Sequence, residues 1–309
     1  MKILQLDSNH HVLKNRLEQH GCIVEDDFHS DYQSVLDKIN DYQGIIIRSR
    51  IPIDENFLLN SNLKFIARVG AGMENIHIET AKLKGITLIN SPEGNRDAVA
   101  EHVLGMLLLL VHRLKIASHE VKNGIWLREE NRGDELMGKT VGIIGYGNMG
   151  KATAKRCSGF GCKVIFHDIL PHLEDAYATQ VDMETLYSQA DIVSLHVPLT
   201  ESTHYLVDEN FIAKMKKPFY LINTARGKNV KTSAVASALK SGKIKAVGLD
   251  VLEYEKSSFE NLDHLSEELQ YLLSSEKALI TPHIAGWTHQ SKIKMAEIIA
   301  EKIINQLGE

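Results

Sequence analysis

Cysteine is scarce in this 309-residue chain, which has only Cys22, Cys157 and Cys162. An odd number at no metal-like spacing argues against a disulfide framework or a structural zinc site, so no metal is expected and the cytoplasm is the expected compartment. Proline is also sparse, with six residues in all. No Pro-rich or Gly/Ser-rich linker, repeat or low-complexity tract interrupts the chain. The length allows about two domains, which must therefore be joined by ordered elements. Surplus positive charge is missing too: the formal net charge is -5 and there is no basic run, so nucleic acid is not an expected partner. The longest apolar run, Val103 to Val111, is half the length of a membrane span and reads as a buried helix. The apolar N-terminal segment is too short for a secretory signal, and no membrane partner is expected. What remains is ordinary for a soluble globular protein, 43% hydrophobic and 24% charged.

Against that background one stretch stands out, VGIIGYGNMG from Val141 to Gly150. Val141, Ile143 and Ile144 read as a strand, and Gly145, Gly147 and Gly150 follow with G-x-G-x-x-G spacing. The first glycine permits a tight turn, the second lets backbone N-H groups approach a pyrophosphate, and the third lets the next helix pack on its strand. That helix is read over Met149 to Cys157, its positive dipole end facing the phosphates, with Asn148 and Met149 beside the cofactor. A second strand, Lys163 to Phe166, closes on Asp168, 18 positions beyond Gly150, where a carboxylate accepts hydrogen bonds from the adenosine ribose. Its charge repels a 2'-phosphate, so NAD is favoured over NADP. Structural glycines at a strand-helix corner are the alternative.

Five apolar runs punctuate the first ninety residues: Lys2 to Leu6, Cys22 to Glu25, Gly44 to Arg48, Lys64 to Val69 and Ile86 to Ile89. Helical lengths separate them, and the first helix, His11 to His20, is closed by Gly21. This alternation predicts an α/β fold with an open parallel sheet. Asp97 opens a helical segment running to about Lys122. Its apolar residues surround nearly the whole circumference around Leu104 to Leu110, pointing to burial at a domain or subunit interface. Six further strands follow: Thr140 to Ile144, Lys163 to Phe166, Asp191 to Val197, Pro218 to Asn223, Ala246 to Asp250 and Ala278 to Thr281. A last helix covers Thr288 to Leu307. Hinges are expected near Asn90 to Asp97 and Gly286 to Thr288.

Ligands of open α/β sheets lie outside the carboxyl ends of the strands. Three polar residues sit there: Arg226 in NTARG, Glu255 in GLDVLEYE and His283 in TPHIAGWT. Together they suit hydride transfer at a carbonyl carbon. Arg226 would grip a substrate carboxylate and polarise the adjacent C=O. His283 would exchange a proton with the oxygen, and Glu255 would hold the imidazole and favour its charged form. Each also has a structural reading, as an ion-pair arginine, a solvated glutamate and a turn-capping histidine.

Through RVGAGMENI (Arg68 to Ile76), NSPEGNRDAVAEH (Asn90 to His102), HVPLT (His196 to Thr200), NTARG, GLDV and TPHIAGWT, the chain resembles the D-isomer-specific 2-hydroxyacid dehydrogenases over nearly its full length. The resemblance implies two doubly wound parallel-sheet domains. A Rossmann NAD domain (97–286) is inserted into a flavodoxin-like substrate domain (1–96 and 287–309). It aligns Arg226, Glu255 and His283 with the catalytic triad and Asp250 with the aspartate that contacts the nicotinamide carboxamide. His196, Pro198, Thr224 and Ala225 fall beside the cofactor, and the backbone of Val69, Gly70, Ala71 and Gly72 is where the substrate carboxylate is received. Asn95 lies in the hinge motif. Arg48 and Arg68 resemble arginines of the phosphoglycerate-oxidising branch and would suit a second anionic group. The expected substrate is accordingly 3-phosphoglycerate, with a glyoxylate, hydroxypyruvate or other D-2-hydroxyacid reductase and a corepressor-like NAD-sensing scaffold as alternatives. A homodimer is expected, and the C-terminal regulatory domain of many phosphoglycerate dehydrogenases is not. The chain departs from the family pattern at Lys256, where proline is usual, at the acidic segment through Glu268, and at Pro218 and Phe219 in place of a Gly-Ala pair.

Overall fold

The computed structural model describes residues 1–255 and 266–307; Lys256 and most of the acidic segment after it lie outside the described residues. The chain divides into two units, Met1–Arg96 with Trp287–Glu309, and Asp97–Gly286. Each is built on an all-parallel sheet.

The first unit has five strands: β1 (Lys2–Gln5), β2 (Ile23–Asp26), β3 (Gly44–Ile47), β4 (Phe65–Arg68) and β5 (Thr87–Asn90). Their order is β2-β1-β3-β4-β5, so the direction of winding reverses between β1 and β3. A parallel strand covered on both faces must be apolar throughout, and β3 shows why GIII does this. Ile45 and Ile47 enter one core with Leu4 and Ile66. Ile46 enters the other with Ile3 and Phe65. The second core is completed by Met295, Ala296, Ile299 and Ile303 of the helix His289–Leu307. The end of the chain thus covers a sheet made by its beginning.

The second unit has seven strands: β6 (Thr140–Ile144), β7 (Lys163–His167), β8 (Thr179–Gln180), β9 (Ile192–Leu195), β10 (Phe219–Asn223), β11 (Ile244–Leu249) and β12 (Ala278–Ile280). The order is β12-β11-β10-β9-β6-β7-β8, reversing between β6 and β9. The two-residue β8 is an edge strand too short to carry any alternation, and the sequence did not indicate it. Phe219, fully buried, fills the start of β10 where a small pair was the family expectation.

The long helix departs from the expectation at both ends. It starts at Pro92 rather than Asp97, because a proline in the first turn has no N-H to leave unpaired. It stops at Val111, where Arg113 takes a left-handed φ of 55°, and a separate helix spans Leu114–Lys122. Its burial also differs. Val103, Met106, Leu107 and Val111 pack into the core of their own unit with Val141, Ile143 and Ile222, and Leu109 stays exposed. Gly248 on β11 permits this approach, since a Cβ there would lie 2.7 Å from Ile222 Cδ1 and 3.2 Å from Met106 Sδ. Among the described residues no helix is long and apolar enough to cross a membrane.

Candidate active site

The glycine loop follows β6 at the reversal point of the second sheet, where ligands of such sheets bind. Gly145 has φ +90°, and a Cβ on it would lie 2.7 Å from the carbonyl oxygen of His196, which follows the neighbouring β9. A Cβ on Gly150 would lie 2.1 Å from the Gly145 carbonyl. These two glycines are packing contacts. Gly147 differs, because a Cβ there would meet nothing within 4 Å. It is also the N-cap of the helix Asn148–Ser158 and provides no side-chain cap. The first amides of that helix, including those of Asn148 and Met149, are therefore capped by no side chain, which suits a pyrophosphate. Nearby, the Thr224 hydroxyl oxygen is buried without a partner, and an orphaned polar atom of this kind fits a site completed by a ligand.

Asp168 follows β7. Its Oδ2 accepts from Tyr146 N at 2.6 Å and its Oδ1 from Leu170 N at 2.9 Å. Two backbone donors hold the carboxylate, and its remaining lone pairs suit ribose hydroxyls. Tyr146, between the first two loop glycines, was not singled out from the sequence. Its fully buried ring stacks on Phe166 at 3.7 Å and its hydroxyl donates to Asp175 at 2.9 Å, tying loop, second strand and following loop together. An aromatic residue within G-x-G was the available signal.

His196 sits at the end of β9, its Nε2 2.9 Å from Ser194 Oγ. Loss of water around the ring pushes its pKa down to about 4, so the imidazole is neutral at working pH. Because the folded-state value lies below the ordinary 6.5, the unfolded chain binds the extra proton between the two values, and this contribution to stability is lost as pH falls from 6.5 towards 4. Unfolding free energy is expected to drop by about 1–3 kcal/mol over that window on account of His196. Denaturant melts of the protein and of His196→Gln across the window check this; parallel pH profiles would contradict it. Pro198 is exposed, and its carbonyl accepts from Thr203 Oγ1 at 2.6 Å.

The three strand-end candidates follow β10, β11 and β12, neighbouring strands of one sheet. Arg226 stands on a turn pinned by two buried asparagines. Asn223 accepts from Ala225 N at 3.0 Å and donates to the Arg226 carbonyl at 2.9 Å, while Asn229 Oδ1 accepts from Arg226 N at 3.0 Å. The sequence reading passed over both. Gly227 then brings this turn against the segment after β11, since a Cβ there would lie 1.9 Å from the Leu252 carbonyl. In that segment Glu255 accepts from Leu252 N at 2.5 Å through Oε1 and meets His283 Nδ1 at 2.8 Å through Oε2. An ionised carboxylate only accepts, so Nδ1 carries the proton and Nε2 is on the ring edge turned away from Glu255. His283 itself has φ 55°. Asp250 is 1% exposed, and its oxygens accept from Thr281 Oγ1, Ile284 N and Ala285 N at 2.5, 2.9 and 2.8 Å. The carboxylate assigned by resemblance to the carboxamide is thus also the anchor of the segment carrying His283.

In the first unit Arg48 follows β3. Its guanidinium lies over the Trp287 ring, 4.3 Å from the centroid, and desolvation lowers its pKa. Trp287 was not among the sequence candidates, although an indole in TPHIAGWT was visible. Arg68 donates from Nε to the Arg48 carbonyl at 3.4 Å and covers Gly70. Val69 N is used by the Ile47 carbonyl at 2.9 Å and Gly70 N by Ser91 Oγ at 3.2 Å. The amides of Ala71 and Gly72 have no such partner among the described residues. Asn95 leaves its Oδ1 buried without one.

A glycine loop at the reversal point of a parallel sheet is the arrangement of a dinucleotide-binding domain. The family model for the NAD binding domain of D-isomer specific 2-hydroxyacid dehydrogenases matches residues 104–285, and the chain belongs to that family. The chain is 36% identical to a hydroxypyruvate reductase of Thermotoga maritima, over 91% of this chain and 90% of that protein. It is 33% identical to a D-3-phosphoglycerate dehydrogenase of Archaeoglobus fulgidus, over 99% of this chain but only 57% of that one. The structure of D-lactate dehydrogenase from Aquifex aeolicus complexed with NAD and lactic acid superposes with a TM-score of 0.80 at 30% identity, covering 100% of this chain and 94% of that one.

Proposed function

We propose that the chain reduces a small unphosphorylated 2-keto acid, hydroxypyruvate or glyoxylate, to the D-2-hydroxy acid with NADH. The observation that carries the chemistry is the 2.8 Å contact between Glu255 and His283 Nδ1, which places a proton on Nδ1 and makes Nε2 the atom that exchanges one with the substrate. Gly147, Asn148 and Met149 hold the pyrophosphate, Asp168 the ribose, and Thr224 and Ala225 flank the nicotinamide half. Bound NADH supplies the hydride. Arg226 holds the substrate carboxylate, His283 gives a proton to the carbonyl oxygen, and Glu255 stabilises the imidazolium before transfer.

For the acid itself, the hydroxypyruvate reductase is the more similar of the two curated relatives, at 36% identity against 33% for the phosphoglycerate dehydrogenase. A substrate with one carboxylate needs no second cationic group besides Arg226. A second reading, 3-phosphohydroxypyruvate as expected from the sequence, is favoured by one observation. The Arg48 guanidinium rests on Trp287 with its edge donating to no acceptor among the described residues, an arrangement suited to a phosphate. Initial rates with hydroxypyruvate, glyoxylate, pyruvate and 3-phosphohydroxypyruvate, each with NADH and NADPH, decide between them. The expected result is a kcat/KM at least about tenfold higher for an unphosphorylated acid with NADH. The reverse order would establish the second reading, and no turnover of any acid would leave only a cofactor-binding role.

The proposed assembly is a homodimer, supported by the exposed Leu114, Val121, Ile125 and Trp126 along and just after the second helix. Light scattering is expected to give twice the chain mass; a monomer at micromolar concentration would refute it.

A further inference from the structure

We infer that His102, on the helix Pro92–Val111, is a positioning residue of the reaction: acting through Thr281 and Asp250, it fixes the segment that presents His283. The inference rests on the acid-base role proposed for His283.

Besides the Leu249 carbonyl, which accepts from Thr281 N at 3.0 Å, the backbone of the segment Thr281 to Ala285 is held mainly by Asp250. The Asp250 carbonyl accepts from His283 N at 2.7 Å. Its carboxylate, 1% exposed, accepts from the Thr281 hydroxyl at 2.5 Å and from the amides of Ile284 and Ala285 at 2.9 and 2.8 Å. These bonds bracket His283 and impose its left-handed φ of 55°. A non-glycine residue in that region costs on the order of 1–3 kcal/mol and persists only where its surroundings over-determine it.

His102 closes the network from another element. Its Nε2 lies 3.1 Å from Thr281 Oγ1 and 3.6 Å from Asp250 Oδ1, the latter too long for a hydrogen bond. The Thr281 hydroxyl has a single proton, which goes to the buried carboxylate, an acceptor only. Its lone pair therefore accepts, and His102 donates from Nε2. The donors run in one direction, from His102 to Thr281 to Asp250, each bond polarising the next. Val99, Val103 and Met106 bury the helix around His102 in the core, so the donor is anchored by packing rather than by the segment it supports.

Without this donor the Thr281 hydroxyl loses one of the two hydrogen bonds that fix its rotamer. The Asp250 anchor loosens, and a smaller fraction of molecules presents Nε2 of His283 to the substrate. Turnover should fall, while NADH, held chiefly by the glycine loop and Asp168, should lose little affinity.

The test uses the purified protein and the best keto acid of the panel. His102→Leu is expected to lower kcat about tenfold with the NADH dissociation constant within about twofold. His102→Gln, whose amide can donate to Thr281, should recover kcat to within about threefold of the unaltered protein. Because His102 acts only through Thr281, the double variant His102→Leu/Thr281→Val should be no slower than Thr281→Val alone. Additive losses, or a glutamine variant no better than the leucine one, would overturn the inference. So would an unchanged kcat in His102→Leu alongside a large loss in His283→Ala. Full turnover by His283→Ala would instead overturn the underlying reading of the site.

Discussion

Replacing His283 with alanine is expected to lower kcat for keto-acid reduction by about 100-fold or more. NADH affinity should stay within about twofold, because the only roles assigned to the imidazole are proton transfer and its bond to Glu255. Stopped-flow turnover with fluorescence titration of NADH separates the two quantities. Glu255→Gln is the informative companion. Its amide oxygen still accepts from Nδ1, but without the negative charge that favours the imidazolium, so a smaller loss than that of His283→Ala is expected. Equal turnover by all three proteins would remove the pair from the mechanism.

The second large effect is expected at Gly150→Val. The added Cβ would lie 2.1 Å from the Gly145 carbonyl oxygen and 3.3 Å from Ile143 Cγ2. The first obstacle is backbone, with no flexible side chain to yield, so the helix Asn148–Ser158 must move off β6. Its uncapped N-terminal amides move with it, and NADH affinity should fall by about 100-fold, or close to 3 kcal/mol. Gly147→Ala is the contrasting case. Its Cβ meets no protein atom within 4 Å but stands where phosphate would approach. Affinity should fall without a change in Tm, whereas Gly150→Val should lower both. A Gly150→Val protein that binds NADH normally would refute the cradle.

The candidate site was legible in the sequence to the extent that its chemistry depends on position along a strand. Runs such as Gly44 to Arg48 are apolar throughout because both faces of a parallel strand are covered. The polar residue that follows each run is then delivered to the carboxyl edge of the sheet. For that reason Asp168, Arg226 and His283 are legible in the sequence. The helix break at Arg113 was not legible, since Leu114 to Lys122 is as helix-compatible as the stretch before it and the left-handed residue between is not a glycine. Nor was the way Val69 and Gly70 use their amides within the first unit while Ala71 and Gly72 do not.

The sequence alone determined the parallel α/β architecture, the glycine loop and the set of strand-end groups. All three follow from local periodicity and from backbone freedom at particular glycines. Tertiary structure alone decided how those groups act on one another. Glu255 reaches His283 across 28 positions, Asp250 reaches Ala285 across 35, and His102 reaches Thr281 across 179. Such pairings depend on which strands become neighbours and which helix packs over them. That is settled by burial of the whole chain rather than by any pattern within a stretch of it.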